Sequence, residues 1–297
     1  MNSSNNKDYC FFKLDENISC IRFLDRNTDK FELEFNLEKG TSYSSFFIVD
    51  ENQLIVIHPP EKNNTEIFLH YISKVLEESE LSKINFITGH INPKIIESLK
   101  IILKRFNNVS ITCSNPGFKL IKELWNQKNP KDNEFVIMDM PNINLIKRDA
   151  NISSQEIDLK LIPAPTARWP GGLLVYAGKQ EILFSEKIFS AHIASEFWAE
   201  KNRMSTESDR KYFYECLMAP MSSQITSLTE KLNELEIKMI APMHGPAIEY
   251  SLKSFLNDYI RWGENLLTNT PKIVLIYASA YGNTASIGDA LAKGVNR

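Results

Sequence analysis

Residues 84–95 read INFITGHINPKI. Residues 84–88 are a short apolar run of strand type, and Gly89-His90 closes it. Pro93 suits the first turn of a helix, where its missing N–H leaves no bond unmade. Ile95, Ile96, Leu99, Ile102 and Leu103 then recur at helical spacing, so a helix is expected over 93–106. His90 therefore stands between a strand end and a helix start. Working outward, residues 44–50 and 53–58 flank Glu51-Asn52 and read as a hairpin. Residues 63–78 read as a helix with Asn63 or Asn64 as cap. Strands are expected over 109–114 and 135–139, with a helix over 117–126 between them. A second strand cluster covers 159–163 and 172–185, the latter broken at Gly178-Lys179. An apolar stripe of Ile225, Leu228, Leu232 and Leu235 marks a helix within 217–236. A strand over 238–242 runs into Met243-His244-Gly245, and a helix follows over 251–269. Hairpins require antiparallel neighbours, which disfavours an all-parallel sheet. Two packed sheets with helices outside fit residues 1–270 better.

Composition narrows the function classes. Of 297 residues, 43% are hydrophobic and 24% charged, which excludes a disordered chain. A net charge of -3 gives no basic excess for nucleic-acid binding. Cys10, Cys20, Cys113 and Cys216 form no C-x-x-C pair, which argues against a zinc ribbon or a dithiol redox motif. Scattered thiols suit a reducing compartment. Without an apolar leader near Met1 or an apolar run near 18 residues, a cytoplasmic protein with no membrane span is expected.

The C-terminal stretch carries the sharpest local motif. Residues 272–278 (KIVLIYA) read as a buried strand and 285–295 as a helix. Between them lie Ser279, Ala280, Tyr281, Gly282, Asn283 and Thr284. A strand, a small polar loop and a helix N-terminus make a phosphate cradle. The loop resembles the FMN-phosphate loop of flavodoxins. Residues 271–297 are too few to hold a flavin ring, so the chain reads as a fragment of a longer FMN protein, with no stoichiometric FMN expected here.

Taken together, His90 at its strand end, PAPTARWP at 163–170, ILFS at 182–185, APMHG at 241–245 and the flavodoxin-type start resemble the flavodiiron proteins. The resemblance implies an α+β fold: a metallo-β-lactamase-like four-layer αββα sandwich over 1–270. The first β–α unit of a flavodoxin-like domain follows over 271–297. Members hold two irons with H-x-E-x-D-H, a His before Trp-Pro, an Asp after L-F-S and a His before Gly. At those seven positions this chain has His90, Asn92, Lys94, Ile95, Arg168, Lys187 and His244, so two ligand types remain. A one-residue slip would place Glu186 at the Lys187 position. Iron of this class wants imidazole and carboxylate, so no diiron centre is expected. Lys94, Arg168 and Lys187 are expected to converge in the vacated volume, to pair with Glu186 or Glu97, or to attract an anion.

Such proteins pass electrons from FMN to a diiron site in a head-to-tail dimer. Members from oxygenic phototrophs add a reductase domain that takes electrons from NAD(P)H, and include forms with replaced ligands. The resemblance implies a subunit that works in oxygen photoreduction as a homo- or heterodimer with a ligand-complete paralogue. A structural or regulatory partner subunit is the alternative, and a metal-free hydrolase fits less well. Outside the motif, His58 is expected to make structural hydrogen bonds, His70 to be structural, and His192 to line the pocket entrance. Trp169 is expected to pack near the pocket, and Trp198 and Trp262 in the core or an interface.

Overall fold

The computed structural model describes residues 8–126, 139–264, 273–279 and 281–295. Two sheets form its centre. The first has the order β1-β2-β5-β6-β7-β8-β9, from β1 (Tyr9–Lys13), β2 (Ile18–Asp25), β5 (Thr41–Asp50), β6 (Gln53–Ile57), β7 (Ile84–Ile87), β8 (Val109–Ser114) and β9 (Asn142–Ile146). Pairing is antiparallel from β1 to β6 and parallel from β6 to β9. The second sheet joins β10 (Ala150–Ser153), β11 (Asp158–Pro163), β12 (Leu173–Ala177), β13 (Ile182–Glu186) and β14 (Met239–Pro242) in chain order. Its last pair is parallel. A two-residue hairpin, β3 (Lys30–Phe31) and β4 (Glu34–Phe35), stands apart between β2 and β5.

Side-chain alternation explains the layering. On β6, Ile55 and Ile57 enter the core between the sheets, while Leu54 and Val56 face helices. On β12, Leu173, Val175 and Ala177 meet that inter-sheet core from the other side, and Leu174 and Tyr176 turn outward. The outer faces are covered by α1 (Thr65–Glu78), α2 (Pro93–Arg105) and α3 (Asn115–Trp125) on one side. On the other lie α4 (Glu207–Phe213), α5 (Ser222–Leu232) and α6 (Leu252–Glu264). The result is the expected four-layer αββα sandwich.

Several boundaries differ from the sequence reading. Neither β1, β2 nor the β3–β4 hairpin was expected. The Asn64 side chain caps nothing; a 3₁₀ turn, Lys62–Asn64, precedes α1 instead. The strand expected over 135–139 falls largely on 135–138, outside the described residues, as does the last part of the helix expected over 251–269. The C-terminal helix is present as α7 (Asn283–Val295). Residues 273–279 ahead of it join no ladder and are exposed, contrary to the buried strand expected there. An apolar run becomes a strand only beside a partner edge, and this one pairs with none of the described strands.

One buried cation braces the frame. Arg22 on β2 donates from Nε to Ser44 Oγ (3.2 Å), and its terminal nitrogens donate to the carbonyls of Phe197 (2.6 Å) and Trp198 (3.1 Å). It also lies over the Phe12 and Trp198 rings. Burial lowers its pKa to about 10, still well above neutrality.

Candidate functional site

The pocket forms where strand ends of both sheets meet, the usual ligand edge of open α/β sheets. His58 follows β6, His90 follows β7, and His244 follows β14. β5 runs antiparallel to β6, so its first residues, Thr41 and Ser42, reach the same edge. The 164–172 loop docks there through glycines. A Cβ on Gly89 would lie 2.6 Å from the Leu173 nitrogen, and one on Gly171 would lie 2.2 Å from the Gly89 oxygen. Only residues without side chains allow these two backbones to meet so closely.

Asn92 is the N-cap of α2. Its Oδ1 accepts from the Ile95 N–H (2.9 Å), which fixes the amide so that Nδ2 faces His90 Nε2 (3.1 Å) and Glu61 Oε1 (3.2 Å). His90 Nε2 is thereby an acceptor already in use. Burial and the nearby Lys187 ammonium hold His90 well below the usual histidine range. Ile95 is buried between α2 and the sheet. Lys94 corrects an expectation: its side chain is 66% exposed and pairs with Glu61 (3.1 Å), outside the pocket. As the second residue of a helix capped by Asn92, it is turned to solvent. Glu97 likewise pairs with Lys62 (3.0 Å), not with a pocket cation.

Arg168 and Lys187 do converge. The β13–β14 register shifts between Phe184 and Glu186, and Glu186 takes φ +57°. Such a bulge re-aims side chains, and both Glu186 and Lys187 are buried. Both side chains are thus enclosed at this edge. The Lys187 side chain is 3% exposed, ion-paired with Glu32, and stands 5.0 Å from the Trp169 ring centre and 5.5 Å from that of Phe31. Arg168, at φ +74°, lies over Trp169 with its guanidinium 3.7 Å from Glu32. Burial pushes Glu186 up to about 7, against the pull of Lys187 and of the Leu173 N–H that it accepts.

Glu32 belongs to the β3–β4 hairpin, which folds over the strand ends. Phe31 packs 4.6 Å from the His192 ring and 5.1 Å from the His244 ring. Glu34 Oε2 lies 2.6 Å from His192 Nε2, and His192 Nδ1 lies 2.6 Å from Thr41 Oγ1. Burial raises the Glu34 pKa, with His192 opposing. His192 is therefore enclosed within the pocket and does not line its entrance. His244 donates from Nδ1 to the Ser42 carbonyl (2.6 Å), which leaves Nε2 as the basic nitrogen. Burial first, then His192 and Lys187, hold His244 well below the ordinary range. His58 departs from expectation too: it is buried, and neither ring nitrogen has a hydrogen-bond partner among the described residues. Burial lowers it to about 3. His70 is exposed on α1. Trp198 packs on Phe12 and Phe46, and Trp262 on Tyr214 and Tyr259, both as core residues.

Among the described residues, no three His, Cys, Asp or Glu side chains gather in a metal-holding group. The C-terminal loop is open. Ser279, Tyr281, Gly282, Asn283 and Thr284 are exposed, and Ala280 lies outside the described residues. Gly282 takes φ +86°, and its carbonyl accepts from Ser286 N (2.9 Å), closing the first turn of α7. Sequence reasoning missed Phe31, Glu32 and Glu34. Their signal was the alternation of KFELEF at 30–35, which gives strand-type placement on two faces.

Comparison with known proteins agrees with this geometry. Residues 42–245 match the family model described as ODP family beta lactamase. A member of the diflavin flavoprotein A series, number 4, from Synechocystis sp. (strain ATCC 27184 / PCC 6803 / Kazusa) is 31% identical over 266 residues, 90% of this chain and 43% of the relative. Number 6 of the series, from Nostoc sp. (strain PCC 7120 / SAG 25.82 / UTEX 2576), is 30% identical over 297 residues, 100% of this chain and 50% of the relative. The solved metal-soaked Flv1 flavodiiron core from Synechocystis sp. PCC6803 superposes with a TM-score of 0.78 at 28% identity, over 97% of this chain and 69% of that one. The chain spans about half the length of the curated relatives it matches. With the matched model covering most of the chain and the four-layer sandwich in place, the chain belongs to the ODP family of β-lactamase-like domains, akin to the flavodiiron and diflavin flavoprotein cores.

Proposed function

We propose that this chain is the β-lactamase-like part of a subunit of a flavodiiron-type NAD(P)H:oxygen oxidoreductase, reducing oxygen to water, and that its own pocket carries no diiron centre. The observation behind this reading is the Lys187 ammonium, buried and ion-paired with Glu32 where a bridging carboxylate would be needed. The donor set does not fit two irons. His90 Nε2 is taken by Asn92, Ile95 has no donor atom, Arg168 and Lys187 are cations, and His244 Nε2 remains alone. Two dications beside those cations would meet strong short-range repulsion. No step is therefore routed through iron in this subunit, and oxygen chemistry falls to a ligand-complete paralogue in the cytoplasmic dimer.

The open loop at Ser279 and Tyr281–Thr284 supports the companion role of holding an FMN phosphate in the longer protein, at the start of α7. Bound FMN supplies one- and two-electron transfer. At its own pocket this chain holds the Lys187 ammonium against the Phe31 and Trp169 rings and pairs it with Glu32.

The test uses the full-length protein, alone and mixed with its ligand-complete paralogue. Iron is measured per chain after reconstitution, and oxygen uptake is followed with NAD(P)H. Iron-free protein is expected, with uptake only in the mixture and diminished by Thr284→Ala. Two irons per chain with uptake unaided would end this reading. Mixed activity indifferent to the loop variant would favour the structural-partner alternative.

A further inference from the structure

We propose that Lys187 and Arg168 form a binding site for a small carboxylate, that Glu32 of the same chain is its resident occupant, and that a carboxylate from solution replaces it when the β3–β4 hairpin lifts. This rests on the reading that the pocket holds no iron.

Four observations carry it. First, one carboxylate is shared between two cations: Glu32 has one oxygen on Lys187 and the other 3.7 Å from Arg168, while Glu186 and Glu34 act on Lys187 only through space. Second, donors remain unused. Among the described residues, Arg168 Nε is buried without an acceptor, and the buried Lys187 ammonium donates to Glu32 alone. A buried donor without a partner marks a place for a further acceptor. Third, the walls suit a planar anion. The Trp169 ring centre lies 5.5 Å from the Arg168 guanidinium carbon and 5.0 Å from the Lys187 nitrogen, so one flat ring contacts both cations.

Fourth, the occupant sits on an element able to leave. The hairpin ladder is two residue pairs, Lys30–Phe35 and Phe31–Glu34. Glu32, in the hairpin turn, takes φ +49°, backbone geometry unfavourable to a glutamate. The Glu32 side chain also remains 27% exposed, which leaves solvent a path to the cations. Beyond the pocket, the hairpin is tied to α7 by Lys30–Asp289 (2.7 Å) and Asn36 Nδ2 to the Lys293 carbonyl (3.2 Å). Displacing Glu32 would therefore be felt by the helix that follows the polar loop.

A carboxylate is the class indicated because a carboxylate side chain already occupies the site. Planar two-oxygen geometry spans an ammonium and a guanidinium together. A spherical halide reaches both less well.

The experiment titrates sodium formate into the full chain by calorimetry and by tryptophan fluorescence, at constant ionic strength, with sodium chloride as the comparison. Iron is measured on the same samples. Glu32→Gln is expected to bind formate at least tenfold more tightly than the native chain. Adding Lys187→Met to that variant is expected to abolish binding, and formate is expected to increase proteolytic cleavage within 30–36 of the native chain. Glu32→Asp, which shortens the occupant by one methylene and keeps its charge, is expected to fall between native and Gln. It carries the test if Glu32→Gln does not fold. Equal affinity in native and both Glu32 variants would overturn the proposal. So would binding that survives Lys187→Met, or chloride binding as tight as formate. Iron at two per chain would instead refute the reading on which the site rests.

Discussion

His58 offers the cleanest measurement of how dry the pocket is. Its imidazole is buried beside Phe46 with both nitrogens unbonded among the described residues, and burial holds its pKa at about 3 against an ordinary 6.5. Between those two values the unfolded chain binds a proton at this position and the folded chain does not. Stability is therefore complete above pH 6.5 and falls as the pH falls, by about 1.4 kcal/mol per pH unit. At pH 5 the loss from this residue alone is about 2 kcal/mol. His90 and His244 are shifted the same way, so the whole protein loses more, and a variant is needed to isolate one contribution. His58→Asn is suitable because φ at this position is +64°, which asparagine tolerates, and asparagine does not titrate. Urea unfolding of both proteins at pH 7.5, 6.5, 5.5 and 5.0 gives the difference in stability at each pH. That difference is expected to be flat above pH 6.5 and to move by about 2 kcal/mol in favour of the variant by pH 5. A difference that stays constant over this range would mean that the folded protein protonates His58 as readily as the unfolded one, and the account of a sealed, unbonded imidazole would be wrong.

Two other substitutions probe the same edge. Glu186 is an acid with its pKa raised from 4.5 to about 7, so the folded state holds its proton longer than the unfolded state, and stability falls as pH rises between those values. Glu186→Gln keeps an acceptor for the Leu173 N–H; it is expected to gain about 3 kcal/mol at pH 8, and almost nothing at pH 4.5, in denaturant titrations. Gly89→Ala would drive a methyl to 2.6 Å from the Leu173 nitrogen and 3.0 Å from the Glu186 carboxyl. It is expected to lose about 2–4 kcal/mol in unfolding free energy, with a normal urea midpoint arguing against the tight docking described.

Elements with strong periodicity were legible from sequence. The α2 stripe from Ile95 to Ile102 and the β8 run from Val109 to Ser114 are both found where they were expected, because their apolar residues recur with helical and strand period respectively. The positions of His90, His244, Arg168 and Lys187 at one edge were legible through their motifs. Lys94 was not, since its direction depends on which residue caps α2, and Asn92 was read as a lost ligand and not as a cap. Lys187 and Glu186 entering together depends on a bulge, which leaves no signature in a run such as ILFSEK. The hairpin is hard to read because the alternation of KFELEF runs unbroken through its turn at Glu32-Leu33, with no Gly, Pro or Asn to mark two strands of two residues each. Its partners lie 155 positions away for Lys187, and such long-range pairing follows from topology and not from local sequence.

The grip of Arg22 on the strip 195–198 has a consequence for how this surface can diversify. The guanidinium addresses main-chain oxygens of Ser195, Phe197 and Trp198, which every amino acid supplies alike. The outward side chains of Glu196 and Phe197 are exposed and take no part in that anchorage. The identity of Phe197 can be rewritten without unseating the backbone that leads out of His192, whereas Glu196 also pairs with Arg26. The molecule thus carries a changeable label on its exterior, bolted from behind by a residue that never reads what the label says.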